Sequence, residues 1–184
     1  MKVAITGTTG GLGSALVQAF QREYLFGEVI ELNRPEYTVG LDESRLFNVD
    51  FDIFINNAYS DHNGFAQVEL LYGLYELNKH RECHIINIGS VSGDGDRHKV
   101  YPYGVHKAAL EKASTQLSLV DGPCKVSLVK PGRMNTKRTE HRKEYYRIDP
   151  IIVARTVLWV ATQPKEINVK SITVDAHNAN RKLL

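Results

Sequence analysis

The sequence is poor in cysteine and in strong charge, and it has no long apolar run. Its 184 residues hold two cysteines, Cys83 and Cys124, with no metal-like spacing. That rules out a disulfide framework and a cysteine metal knuckle, and it leads us to expect two reduced, semi-buried thiols. No histidine, cysteine and carboxylate cluster has ligand spacing, so no metal is expected. No apolar stretch approaches the ~20 residues needed to span a bilayer. The 23 basic and 21 acidic side chains leave a formal charge of +2, too small to argue for a nucleic-acid or membrane partner. A basic stripe, the footprint of a nucleic-acid module, is missing as well. Met1-Lys2-Val3 opens straight into an apolar strand without a charged-then-apolar leader, so we expect no signal peptide and a cytoplasmic protein.

The composition that remains, 42% hydrophobic and 24% charged, is that of an ordinary globular protein. The length suits one domain over residues 1–184 with a core of its own. Short apolar runs alternate with helical periodicity, which predicts an α/β fold with a parallel sheet. Strands are expected at Val3–Ile5, Glu28–Leu32, Asp52–Ile55, His84–Ile88, Lys125–Val129 and Ser171–Val174. Helices are expected after Gly13, over Phe65–Leu77, over Tyr103–Leu119 and from Pro150 onward. The Phe65–Leu77 helix has two apolar faces, Val68, Leu71, Tyr72 and Tyr75 on one and Leu70, Leu74 and Leu77 on the other. Covering a sheet takes one face, so the second is either buried within the subunit or a subunit contact.

Thr6-Gly7-Thr8-Thr9-Gly10-Gly11-Leu12-Gly13 falls between the first strand and the first helix. Glycines let the backbone turn sharply and approach a pyrophosphate, and the helix start offers free N–H groups and positive partial charge. The spacing Thr6, Gly7, Gly11, Gly13 resembles the short-chain dehydrogenase/reductase family, and the resemblance extends over nearly the whole chain. It implies a Rossmann-type doubly wound parallel sheet that binds a nicotinamide dinucleotide. The end of the second strand discriminates between the two forms of that cofactor. An acidic residue there would suit a free ribose 2′-hydroxyl, whereas this sequence has Asn33-Arg34. Arg34 can hold a 2′-phosphate with its forked donors, which favours NADP(H) over NAD(H). Thr8 and Thr9 could add hydroxyl contacts; Glu36 could instead pair with Arg34.

Tyr103 and Lys107 stand four residues apart, and on a helix they share a face. A close ammonium would lower the phenol's pKa and suit it to proton transfer. Ser90 lies thirteen positions before Tyr103, just after a strand, at the edge where open α/β sheets bind ligands. Order and spacing resemble the family's serine, tyrosine and lysine set. The resemblance implies that Ser90 binds the substrate carbonyl, that Tyr103 is the acid/base, and that Lys107 binds the nicotinamide ribose while tuning Tyr103. Asn63, 27 positions before Ser90, resembles the family's fourth member, although Ser60-Asp61-His62-Asn63-Gly64 also reads as an ordinary helix start. Tyr101 falls off the Tyr103–Lys107 face and is read as a loop residue lining the site, and His106 as a packing residue.

Asn56-Asn57-Ala58 resembles the family's Asn-Asn-Ala-Gly segment with Tyr59 in place of glycine, which implies that the backbone of Asn57, Ala58 and Tyr59 lines the adenosine side while the asparagines mainly brace the sheet. Pro131, Gly132, Met134 and Thr136 resemble the segment that grips the nicotinamide carboxamide. The chain departs from the family in being shortened between strands 2 and 4. No helical crossover fits between Leu32 and Tyr37, so a helix is missing there. Tyr37–Leu41 is then a short strand or a link, with Asp42 near the adenine. The segment 137–147 would be a substrate lid. Lys137, Arg138, His141, Arg142, Lys143 and Arg147 make it basic. It either recruits an anionic substrate or is a solvated loop, and the second is preferred because charge runs usually face water.

Two functions are compatible with this sequence. One is hydride transfer between NADP(H) and a small carbonyl or alcohol. The other is a non-catalytic dinucleotide sensor, whose kind usually lacks the tyrosine or the lysine. A homodimer or homotetramer through the 65–77 and 103–119 helices is expected.

Overall fold

The structure, a computed structural model, describes residues 1–33, 48–95, 100–142 and 145–177. Among the described residues there are six strands and four α-helices. They are β1 (Lys2–Thr6), α1 (Gly11–Gln21), β2 (Glu28–Leu32), β3 (Ile53–Asn56), α2 (Ala66–Asn78), β4 (Cys83–Ile88), α3 (Pro102–Leu117), β5 (Cys124–Pro131), α4 (Pro150–Ala161) and β6 (Ser171–Val174). The sheet is parallel throughout, in the order β2-β1-β3-β4-β5-β6. The order reverses between β1 and β3, so a crevice opens at the carboxyl ends of those strands.

Alternation along the strands divides the core. Val3, Ile5, Ile53, Ile55, Ile86 and Ile88 point to one face and pack under α1 and α4. Ala4, Phe54, Ile85 and Val126 point to the other and pack under α2 and α3. Successive strand side chains face opposite ways, so near-continuous apolar strands require helices on both sides. This is the doubly wound sheet expected from the sequence. The shortening between strands 2 and 4, the Tyr37–Leu41 link, Arg34 and Asp42 lie outside the described residues.

The strand ends fall within two residues of expectation, the largest difference being at the end of the fifth strand. It runs on through Pro131, which donates no hydrogen bond yet stays in register with Val174 of β6. On α2, Leu70, Leu71, Leu74 and Tyr75 are buried in the chain's own core, while Tyr72 and Leu77 stay exposed. Most of both apolar faces is therefore consumed inside the chain. Cys83 and Cys124 are register partners on β4 and β5; both are free thiols, and they are fully rather than half buried. Among the described residues no helix is long and apolar enough to cross a membrane, and no side-chain group could hold a metal.

Candidate active site

The glycine turn at the end of β1 is shaped for close approach. Gly7 and Gly11 have φ of +69° and +54°, a region that disfavours side chains. A Cβ on Gly13 would lie 1.9 Å from the Gly7 carbonyl oxygen, so only glycine lets α1 start this near the turn. Gly10 has open space instead, and no side chain caps the helix. The first turn of α1 thus presents backbone to a cleft of about 1140 Å³, which runs on to Ser90, Tyr103 and Lys107. A cradle of bare backbone at a helix start, joined to such a cleft, fits a dinucleotide.

Other members of the expected binding set brace this cradle. Asn57 donates from Nδ2 to the carbonyls of Thr6 and Gly7 at 2.9 and 3.1 Å, and the Thr6 hydroxyl accepts from the N–H groups of Asn57 and Ala58. The Thr8 hydroxyl donates to Glu31 at 2.6 Å, and Asn33 bonds both Thr8 N–H and Thr8 Oγ1. Thr8 is buried and absent from the cleft wall, whereas Thr9, Leu12 and Asn33 line it. The expectation of a Thr8 hydroxyl contact is corrected on that ground, since the group is already bound inside the loop.

The reacting end is assembled from three elements. Ser90 follows β4 and caps a 3-10 turn, Val91–Gly93, with its Oγ accepting from Ser92 N–H at 3.1 Å. That turn lies flat on the start of α3. A Cβ on Gly93 would meet the Ala108 nitrogen at 2.9 Å, and one on Gly104 the Ser92 carbonyl at 2.8 Å. The packing brings the Ser90 hydroxyl close to the Tyr103 phenol, both on the cleft wall. Lys130 on β5 clamps the arrangement, pairing with Glu111 of α3 and with Asp94 just beyond the turn.

Lys107 is buried on the same helix. Its ammonium donates to Gln67 Oε1 and to the Ile88 carbonyl, both at 2.7 Å. Burial first, and Arg138 second, pull its pKa down to about 7. Nζ is 5.7 Å from the Tyr103 ring centre. The sequence predicts a phenol lowered by its ammonium neighbour. Here burial dominates and pushes Tyr103 above the ordinary tyrosine range, against the neighbouring Ser90 hydroxyl and the Arg138 charge, which pull it down.

Gln67 is the residue that sequence reasoning missed. Its Nε2 donates to the Asn56 carbonyl at 2.7 Å while its Oε1 holds Lys107. Asn63 fills a different position. Its Nδ2 donates to Glu69 at 2.8 Å and its Oδ1 accepts from Phe65 N–H, a local helix-start arrangement. Asn63 borders the cleft, but its amide is engaged away from Lys107. The only signal for Gln67 is a polar residue on the apolar side of α2.

The Tyr59 side chain takes a place that the sequence reading did not assign. Its ring stands at the reacting end, 4.9 Å from the Tyr103 ring edge-on, with its hydroxyl 3.0 Å from His106 Nδ1. A tyrosine in the family's glycine position reaches across the cleft, where glycine would leave only backbone. His106 packs against Phe65 and over Gly64, the packing role expected of it. Tyr101 lines the cleft as expected, donating to Ser92 Oγ at 3.2 Å.

On the far wall, Pro131, Gly132, Met134 and Thr136 all line the cleft. Thr136 faces Gly11, with Cγ2 3.4 Å from where a Cβ would stand. The segment expected to act as a lid begins as a 3-10 turn, Lys137–Arg142, and Arg138 from it lies over the Tyr59 and Tyr103 rings. Residues 143 and 144 lie outside the described set.

Comparison with known proteins bears on the fold. No family model matches the chain. A Staphylococcus epidermidis protein described as an uncharacterized oxidoreductase is 26% identical, over 94% of this chain and 96% of that one. A Staphylococcus aureus uncharacterized oxidoreductase is 35% identical over 95 residues, 50% of this chain and 41% of its own. Among solved structures, 4-hydroxyisoleucine dehydrogenase, a mutant with NADH and succinate, superposes with a TM-score of 0.76 at 17% identity, covering all of both chains. The Brucella melitensis 3-ketoacyl-(acyl-carrier-protein) reductase with NADH gives 0.74 at 16% identity, over 97% of this chain and 98% of that one. Closed serine dehydrogenase with NADP+ gives 0.73 at 21%, over 95% and 94%. This is a protein of the short-chain dehydrogenase/reductase fold, related over nearly its whole length to a protein named an oxidoreductase.

Proposed function

We propose that the chain is an NADP(H)-dependent oxidoreductase that reduces a small carbonyl, or oxidises the corresponding alcohol. The observation that carries this reading is a single cleft that joins the glycine turn of α1 to Ser90, Tyr103 and Lys107. When bound, the reduced nicotinamide supplies a hydride to the carbonyl carbon. Ser90 donates a hydrogen bond to the carbonyl oxygen and orients it. Tyr103 gives that oxygen its hydroxyl proton as negative charge develops, and takes it back in the oxidative direction. A phenol held high by burial is well suited to remain protonated until an alkoxide forms. Lys107 would bind the nicotinamide ribose, and its bond to Gln67 fixes it at the floor of the site.

Pyrophosphate binding is assigned to Gly7, Gly11, Leu12, Gly13 and the neighbouring Thr9. Preference for NADP(H) is assigned to Asn33 and Arg34, with Asp42 beside the adenine. Pairing of two or four copies through α2 and α3 completes the proposal, with exposed Tyr72, Leu77 and Val105 as its apolar contacts. Turnover of NADPH with a panel of small carbonyls tests the central reading. Tyr103→Phe should lower kcat by at least 100-fold, within the range that positioned acid/base groups contribute, and leave NADPH binding intact. Unchanged turnover would refute the assignment and favour a sensor. Arg34→Asp should shift preference towards NADH, measured as the ratio of kcat/KM for the two cofactors.

A further inference from the structure

We propose that Arg138 makes the reacting end of the cleft selective for a carbonyl or alcohol that also carries a carboxylate, a short oxo or hydroxy acid. The inference rests on the reading of Tyr103 as the acid/base group. Sequence alone favoured a solvated basic loop for this segment, and the Arg138 side chain, 58% exposed, also borders the cleft. Its guanidinium carbon lies 5.2 Å from the Tyr103 ring centre and 5.0 Å from that of Tyr59. The guanidinium lies over both rings, which stand edge-on to each other, and it keeps N–H donors for hydrogen bonds. The guanidinium has five N–H donors, and the contact with Asp61 at 3.2 Å engages one nitrogen. Asp61 is 81% exposed at its side chain, so that pair is a weak competitor for a ligand carboxylate.

The charge around the cleft has the same sense. Its described ionised lining is Arg133, Lys137 and Arg138 together with Lys107, against one carboxylate, Asp175. Asp175 sits against Gly132 and accepts from the Ala176 N–H, away from the phenol. Arg133 lies over Tyr145, and Thr136 of the same stretch faces Gly11, so that stretch borders the glycine turn. Arg138 is the permanently charged group at Tyr103 itself. A substrate whose carbonyl oxygen meets the Ser90 and Tyr103 hydroxyls would place a carboxylate on Arg138 only if that carboxylate is a few bonds from the reacting carbon. Short acids meet this condition, and long-chain ones with a distant carboxylate do not.

Matched pairs of short oxo acids and their methyl esters, assayed with NADPH, provide the test. The wild-type chain should favour the acid in kcat/KM by roughly 10- to 100-fold, the range of a charge-assisted hydrogen bond. Arg138→Gln should bring the ratio of acid to ester close to one, mainly through KM. Arg138→Lys should give an intermediate ratio, because a lysine keeps the charge without the planar fork. The ratio cancels any general damage from either variant. Esters reduced as well as acids by the wild type, or a preference that survives in Arg138→Gln, would overturn the Arg138 assignment and leave the oxidoreductase reading standing. Failure of the wild type to reduce any acid or ester would overturn both.

Discussion

Lowering the pH from 7 to 5 should destabilise this protein through one buried histidine. His84 on β4 is almost wholly buried, with Nε2 bound to Ser127 Oγ at 2.7 Å and Nδ1 without a protein partner. Burial, with Lys125 as the second cause, depresses its pKa from 6.5 to about 3. The folded chain therefore refuses a proton that the unfolded chain accepts. For a histidine depressed in this way, stability is greatest above the unfolded pKa and falls as the pH drops from 6.5 towards 3. At pH 5 the unfolded imidazole is almost fully protonated and the folded one is not. Linkage then costs about 2 kcal/mol relative to pH 7. The assay is urea unfolding at both pH values for the wild type and for His84→Asn, which cannot titrate. The wild type should lose about 2 kcal/mol more than the variant. Should the variant fail to fold, an NMR titration of the wild-type imidazole gives an independent answer. A His84 signal that titrates near pH 6.5 in the native protein, or equal losses in both chains, would refute the reasoning.

Two further outcomes follow from the site. Gly13→Ala would force a Cβ to within 1.9 Å of the Gly7 oxygen. It should cost about 1–3 kcal/mol in urea unfolding and weaken NADPH binding, whereas Gly10→Ala, in open space with extended backbone, should leave stability unchanged. Gln67→Leu would leave the buried Lys107 ammonium one acceptor short and should cost about 1–3 kcal/mol of stability. Lys107 has a folded pKa near 7, so this penalty should be largest below pH 7 and shrink as the pH rises and the group loses its proton. Glutamate at position 67 should restore part of the loss, and unfolding of both variants at pH 6 and 9 measures it.

The sequence by itself determined the alternation of strands and helices, the glycine turn and the serine, tyrosine and lysine set. These are local signals. Strand burial on both faces writes near-continuous apolar runs such as His84–Ile88, a turn with positive φ calls for glycine at positions 7 and 11, and four-residue spacing puts Tyr103 and Lys107 on one helix face. Only the tertiary structure decided what meets those groups. Lys107 is held by Gln67, 40 positions away; Tyr103 is flanked by Tyr59 and overlaid by Arg138; Asn63 turns to Glu69. Such contacts depend on how α2, α3 and the turn at 137–142 pack over the sheet, and no periodicity along the chain encodes the angle at which separate elements meet.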